Sequence, residues 1–283
     1  MKVTVIPLNE TSVVSFNGDP KPKNGWCVIL AGGPASGKTY TINKRGALLI
    51  DGKHIDLDKW SKTYAKMHPE DNWDIENPDH IRSLHQIVKG KGWREQIMDI
   101  FYNTNPQKDN IIIDIMGAYR RQLNEYAEEA KEHGYKTALI WIVTNVNVAL
   151  ERNKDKKDRK REMDEYDLKK LHRRVLYNLL YNDGNQYIEK SAGRRFDEIW
   201  LVISSGPTNN LTPEEQNLID EMGAIRLEKQ GDKFVFPPEL KDFIFTLTHR
   251  YTSNNDSLSF LTNLKKERIK NSYRQSRTNK ENK

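Results

Sequence analysis

Apolar residues fall along this chain in short unbroken runs instead of alternating with polar ones. Residues 26–31, 110–114, 137–143 and 196–203 are such runs, rich in isoleucine, valine and leucine. A strand covered on both faces has this pattern, as the strands of a parallel sheet do. Between the runs the spacing turns helical, over residues 92–102, 120–133 (with Gly134 placed as a C-terminal cap), 147–152 and 164–181. Two more helices are predicted in the polar stretch between Asp56 and Trp93, over 59–67 and 78–88. Strand and helix in alternation imply βαβ units. Two turn signals punctuate the pattern. Asp51-Gly52, between the short apolar stretches 47–50 and 53–56, predicts a hairpin, and Gln230-Gly231, between 224–228 and 233–236, predicts another. Further helices are predicted over 213–222 and 238–250, and no internal repeat is visible.

The loop after the first run carries chemistry. Gly32-Gly33-Pro34-Ala35-Ser36-Gly37-Lys38-Thr39 satisfies G-x-x-x-x-G-K-[ST] at every fixed position. The glycines permit backbone angles that aim successive N–H groups at phosphate oxygens. Lys38 reaches the β- and γ-phosphates and Thr39 offers its hydroxyl to Mg²⁺. A helix beginning near Lys38 adds its positive end, and Tyr40, the next residue after Thr39, belongs to the nucleotide-binding set. The motif lies between a buried strand and a helix, the context nucleotide binding requires. The expected fold is α/β: a P-loop NTPase-type, mostly parallel sheet flanked by helices, with a helical lid and a small C-terminal extension. The expected division is a kinase domain over 1–250 and a basic tail over 251–283.

Two aspartates follow about twenty residues after Lys38, at Asp56 and Asp58. Two apart in an extended segment, they share one face. At the C-terminal end of a strand beside the P-loop strand, a carboxylate lies near the γ-phosphate and can take the proton of an incoming hydroxyl. Asp58 is assigned as that base and Asp56 as a metal or substrate contact. The competing reading has them cap the helix beginning near Lys59, a role that suits Asp58. Asp114 ends the run 111–113 as a carboxylate holding Mg²⁺ through water would. Asp114-Ile115-Met116-Gly117 also fits the D-x-x-G of GTPases, but the N-K-x-D partner is missing. Asn153-Lys154-Asp155-Lys156 has its aspartate one place early and lies in a charged run. That run, 152–161, follows the helix after the third strand, where mobile arginines can neutralise a phosphoryl group in transfer. Arg152 and Arg159 are assigned this role.

Composition alters the picture mainly at the end of the chain. The net charge is +6 and the pI about 9.1. Residues 251–283 hold eight Lys/Arg against three Asp/Glu, a net +5, so the first 250 residues are near neutral. The tail reads either as an arm for a polyanion or as a solvated terminus. A mean hydropathy of −0.83 fits long solvated helices. No apolar run approaches the roughly eighteen residues of a membrane span. Residues 1–7 lack a leader-like apolar segment. The single cysteine, Cys27, lies in an apolar run and excludes an internal disulfide, so a buried thiol and a reducing cytoplasm are expected. Trp60, Trp73 and Trp93 occupy the region that should hold the acceptor. They could stack a base, with Arg82, Lys89, Lys91 and Arg94 on phosphates, or pack in the core. The seven histidines show no metal spacing; His80 and His85 are five apart, unsuited to a helical zinc pair.

Several of these motifs together resemble a known group. They are the glycine-rich loop, Ile55-Asp56-Leu57-Asp58, Ile113-Asp114-Ile115-Met116-Gly117, Gly134-Tyr135-Lys136 and Ala149-Leu150-Glu151-Arg152-Asn153. Over about residues 26–205 the chain resembles the zeta-toxin and polynucleotide-kinase-like branch of P-loop kinases. The resemblance implies a five-stranded parallel core, ATP or GTP with Mg²⁺, Asp58 as the base of D-x-D, and lid arginines on the γ-phosphate. The basic residue those kinases carry soon after D-x-D is represented only by Lys59 or Lys62. Residues 67–93 and those beyond 205 match nothing in the group. Zeta-type toxins phosphorylate a nucleotide sugar, related kinases phosphorylate nucleic-acid ends, and phage relatives act on hydroxymethylated pyrimidines in DNA. The expected function is ATP-dependent transfer to a hydroxyl of a nucleic acid or nucleotide. The alternatives are a kinase of a UDP-amino sugar and a nucleotide-dependent switch that transfers nothing.

Overall fold

Each unbroken apolar run forms a strand with both faces covered. A computed structural model describes residues 15–16, 19–20, 24–38, 52–154, 163–181, 187–203, 224–236, 240–241 and 244. A small antiparallel ribbon of β1 (Ser15–Phe16) and β2 (Asp19–Pro20) comes first. The main sheet contains β3 (Trp26–Ala31), β4 (Lys53–Asp56), β5 (Ile111–Asp114), β6 (Lys136–Val143), β7 (Glu198–Ile203) and β8 (Ala224–Arg226), in the order β4-β5-β3-β6-β7-β8. All neighbours are parallel except β7 and β8. The mostly parallel sheet is as expected, and its five parallel strands match the core the resemblance implied. Residues alternate between two apolar layers. Cys27, Ile29 and Ala31 of β3 face one, while Trp26, Val28 and Leu30 face the other. Truncating a fully buried side chain such as Ile29 to alanine would cost about 2–5 kcal/mol.

The helices are α1 (Leu57–Met67), α2 (Pro78–Gly90), α3 (Trp93–Tyr102), α4 (Arg120–Glu132), α5 (Val146–Lys154), α6 (Glu165–Leu176) and α7 (Tyr187–Lys190). A π-helical turn, Tyr177–Tyr181, continues α6. Their ends follow local chemistry. α4 stops where Gly134 takes φ 81°, Gly134 N–H donates to Lys131 O and Tyr135 N–H donates to Ala130 O. This paired closure satisfies orphan carbonyls at the helix end. Among the described residues no helix is long and apolar enough to cross a membrane.

One turn prediction needs correction, and the other lies partly outside the described residues. Residues 53–56 form a strand paired in parallel with β5, while residues 47–51, which would supply the other arm of the Asp51-Gly52 hairpin, lie outside the described residues. What seats Gly52 is the backbone of Asn110: a Cβ there would lie 2.6 Å from Asn110 O. The second hairpin is real but shorter, joining β9 (Glu228–Gln230) to β10 (Lys233–Val235). Residues 224–226 join the main sheet instead. Glu198, only 3% exposed, accepts from Trp200 Nε1 and from Arg226 Nη2, both at 3.0 Å. A buried carboxylate requires such partners, and this one ties β8 to β7. The predicted stretch 47–50, helix 213–222 and tail 251–283 lie outside the described residues, as do most of helix 238–250 and of the charged lid run.

Candidate active site

The P-loop leaves β3 at the sheet's switch point, where β5 and β6 flank it on either side. The first contacts extend the sheet: Ile115 N–H donates to Leu30 O at 3.1 Å and Gly32 N–H to Met116 O at 3.2 Å. The loop then turns through left-handed angles at Ala35 (φ 57°) and Gly37 (φ 89°). Ala35 pays about 1–2 kcal/mol for that conformation, so neighbours must hold it. Thr144 Oγ1 donates to Ser36 O at 2.9 Å. Arg152 Nη1 reaches Ser36 O at 3.3 Å and Ala35 O at 3.5 Å. His172 Nε2 lies 2.6 Å from Pro34 O, which as a carbonyl can only accept, so this nitrogen carries the proton. Lys38 Nζ donates to Gly32 O and Gly33 O at 2.9 and 3.3 Å, and lies 3.9 Å from Asp114 Oδ1.

The edge strand β4 brings the acidic residues together. Parallel register sets Asp56 opposite Asp114, and Asp114 opposite Leu30 of the P-loop strand. Asp56, not Asp58, caps α1: its Oδ1 accepts from Asp58 N at 2.8 Å and from Lys59 N at 3.4 Å. The helix starts at Leu57, two residues earlier than expected. Asp58 is therefore inside the first turn, and its carboxylate meets His85 of α2, Oδ1 to Nε2 at 2.7 Å. Burial raises the Asp114 pKa to about 6; Lys38 opposes this, while the Asp56 and Asp58 carboxylates add to it.

His54 joins Asp56 and Asp114, with one donor atom of each within 4.8 Å of the others. Burial holds its pKa down, Lys59 adds to this and Asp56 opposes it. Lys59 Nζ donates to His54 Nδ1 at 2.8 Å, which leaves the proton on Nε2, a buried atom with no partner. The oxygen donors of the cluster are the two carboxylates. Paired carboxylates at this burial suit a hard divalent cation such as Mg²⁺.

The structure thus gathers Lys38, Asp56, Asp58, Asp114 and Arg152 around one loop. Thr39, Tyr40 and Arg159 lie outside the described residues. His54, His85 and His172 were missed as site residues, because their relevance comes from pairing across elements and no spacing in the chain signals it. The tryptophans pack instead of lining an open site. Trp93 is 5% exposed and meets Trp60 edge-on, centroids 4.4 Å apart. Arg82 pairs with Asp79 and Asp167, and Arg94 with Glu125. Lys91 lies over the Tyr64 ring.

A P-loop strand at the switch point of a mostly parallel sheet, with a lysine and two strand-end carboxylates beside it, defines a P-loop NTPase-type domain of kinase-like build. The chain belongs to the AAA domain family, whose model matches residues 27–176. Among solved structures it is similar to the native AvrRxo1-ORF1:AvrRxo1-ORF2 complex. The TM-score there is 0.52 at 15% identity, covering 85% of this chain and 70% of that one. The same complex with sulphate ions gives 0.50 at 15% identity, covering 82% and 66%. A structure from the PezAT toxin–antitoxin system of Streptococcus pneumoniae gives 0.48 at 14% identity, covering 88% and 86%. At these identities the likeness is one of fold. No curated protein matches.

Proposed function

We propose that the protein is an ATP-dependent kinase, with GTP an allowable donor, that transfers the γ-phosphate to a hydroxyl of a nucleic acid or nucleotide. The observation that carries this reading is the Asp58 carboxylate. It is relieved of capping by Asp56, hydrogen-bonded to His85, and set one turn from the strand end that faces Asp114 and Lys38. A P-loop protein that only bound nucleotide would not require an oriented carboxylate there.

In the proposed reaction Asp58 takes the proton of the acceptor hydroxyl. The oxygen forms a bond to the γ-phosphorus, the bond from that phosphorus to the β,γ-bridging oxygen breaks, and the nucleoside diphosphate leaves with the electron pair. His85 holds the carboxylate in one orientation. Lys38 turns from the loop carbonyls to the β- and γ-phosphates, and Arg152, already directed at the loop, adds positive charge beside them. Asp56 and Asp114, with the Thr39 hydroxyl, would hold Mg²⁺, which when bound neutralises phosphate oxygens.

The test is transfer of labelled γ-phosphate from ATP to a panel of acceptors: DNA and RNA oligonucleotides, DNA carrying hydroxymethylated pyrimidines, nucleotides and a UDP-amino sugar. Asp58→Asn should lower transfer about 10²–10⁴-fold while nucleotide binding persists. No label on any acceptor, or equal rates in wild type and Asp58→Asn, would overturn the assignment. Label on the sugar nucleotide alone would move the acceptor to that class.

A further inference from the structure

The phosphate-loop motif fixes glycine at positions 32 and 37 and leaves position 33 free, yet this chain has glycine there too. Gly37 uses its freedom for a left-handed φ of 89°, whereas Gly33 takes no left-handed angle. What excludes a side chain at Gly33 is His172. A Cβ there would stand 2.5, 2.5 and 2.6 Å from Cε1, Nε2 and Cδ2 of the imidazole. The ring therefore lies against the loop backbone, and its Nε2 donates to the next carbonyl, Pro34 O, at 2.6 Å. His172 comes from α6, one turn after Leu168 and one turn before Val175 and Leu176, all three buried. That stretch of chain is also anchored away from the P-loop. Asn178, in the π-helical turn that continues α6, donates through Nδ2 to Gly117 O at 2.7 Å. A packed helix of this kind presents the imidazole N–H with little freedom.

From this geometry we infer that His172 is a positioning residue for the terminal phosphate. It holds the Gly33-Pro34 end of the loop in the shape that admits a triphosphate, and so favours triphosphate over diphosphate. Lys38 locates that end of the loop. Its Nζ, the group that reaches the β- and γ-phosphates, donates to Gly32 O and Gly33 O and lies 3.9 Å from Asp114 Oδ1. The loop backbone nearer the following helix cradles the inner phosphates. When a triphosphate draws Lys38 away, Gly32 O and Gly33 O lose this donor, while Pro34 O keeps the one from His172. Without that bond the Pro34 carbonyl is free to turn toward the anion, where its oxygen would repel those of the γ-phosphate. A diphosphate leaves that space to water and is indifferent to the turn. The inference rests on nucleotide binding at this loop, and not on phosphotransfer or on the identity of the acceptor.

Equilibrium binding tests this without any phosphotransfer. The probes are a mant-labelled β,γ-imido analogue of ATP and mant-labelled ADP, each titrated with Mg²⁺ and read by fluorescence. His172→Ala should weaken the triphosphate analogue about five- to tenfold and ADP by no more than about twofold. His172→Gln keeps an N–H donor without the flat ring, so it should recover part of the triphosphate affinity. Gly33→Ala reaches the same contact from the loop side and leaves α6 intact, so the test survives a poorly folded His172→Ala. Its methyl displaces the ring, and it too should weaken the triphosphate selectively. With both changes together the methyl has room, so the double variant should bind the triphosphate no worse than His172→Ala. Unchanged binding in His172→Ala overturns the inference. Equal losses of both nucleotides also overturn it, because the histidine then only braces the loop. Strict additivity of the two changes would contradict the contact between them and overturn it as well. A wild type that binds neither nucleotide removes the nucleotide reading and this inference with it. Selective loss of the triphosphate in a protein that transfers phosphate to no acceptor keeps this inference and removes the kinase assignment.

Discussion

At the scale of single residues the site is built from charges that the fold holds at a cost. Asp114 is the clearest case, with its side chain 11% exposed and Lys38 only loosely paired to it at 3.9 Å. Its folded pKa, about 6, stands above the ordinary carboxylate value. A raised acid favours the folded state while protonated, so its contribution is present in full below about pH 4 and is lost as pH rises through about 6. Replacing the carboxylate with an amide should remove that penalty. In metal-free buffer at pH 7.5, Asp114→Asn is expected to be more stable than wild type by roughly 2–3 kcal/mol. The difference should shrink toward pH 4, as urea midpoints at the two pH values would show. Equal midpoints throughout would mean that the charge is already compensated. The same substitution should abolish the proposed transfer, because the charged carboxylate that burial makes costly is what a divalent cation would stabilise.

At the scale of elements, Gly117 shows how closely the strands and their following loops are fitted. It takes φ 74°, and an added Cβ would stand 2.6 Å from Ala31 Cβ at the end of β3. In a GTPase a glycine at this place of D-x-x-G would serve switching; here its geometry is explained by packing, together with the bond from Asn178. Gly117→Ala should destabilise by about 2–4 kcal/mol, combining left-handed strain with overpacking. The change would appear as a lower urea midpoint at constant slope. Adding Ala31→Gly should restore part of the loss, and strict additivity of the two changes would contradict the clash. This scale also shows what the chain makes legible. Unbroken apolar runs were sufficient for β3, β5, β6 and β7, because burial on both faces leaves no room for polar alternation. The P-loop was legible because each of its positions has a local requirement. In the capping reading Asp56 takes the place that suited Asp58, because the helix starts two residues earlier than the spacing suggested. His85 and His172 act across helices, and only packing brings them to the site.

At the scale of the whole molecule, the switch point makes one ligand a tie between many elements. The P-loop is held by β5 through Met116, by α5 through Arg152 and by α6 through His172. In this arrangement the loop carbonyls of Gly32 and Gly33 accept from Lys38, the cation that a triphosphate would take. Binding must replace those bonds with stronger charge-assisted ones to phosphate. Because the contacts extend over both sides of β3, the free energy of binding should appear as stability of the entire sheet, not as ordering of one loop. With ATP and Mg²⁺ at about 100 times Kd, linkage adds about 2.7 kcal/mol. For a chain of this size that raises Tm by roughly 4–6 °C. Lys38→Ala should remove most of the shift while leaving the Tm of the free protein nearly unchanged, since among the described residues Lys38 bonds to its own loop and lies loosely by Asp114. A scan of Tm against ATP concentration checks both statements. A shift that survived Lys38→Ala would place the nucleotide elsewhere than on the P-loop.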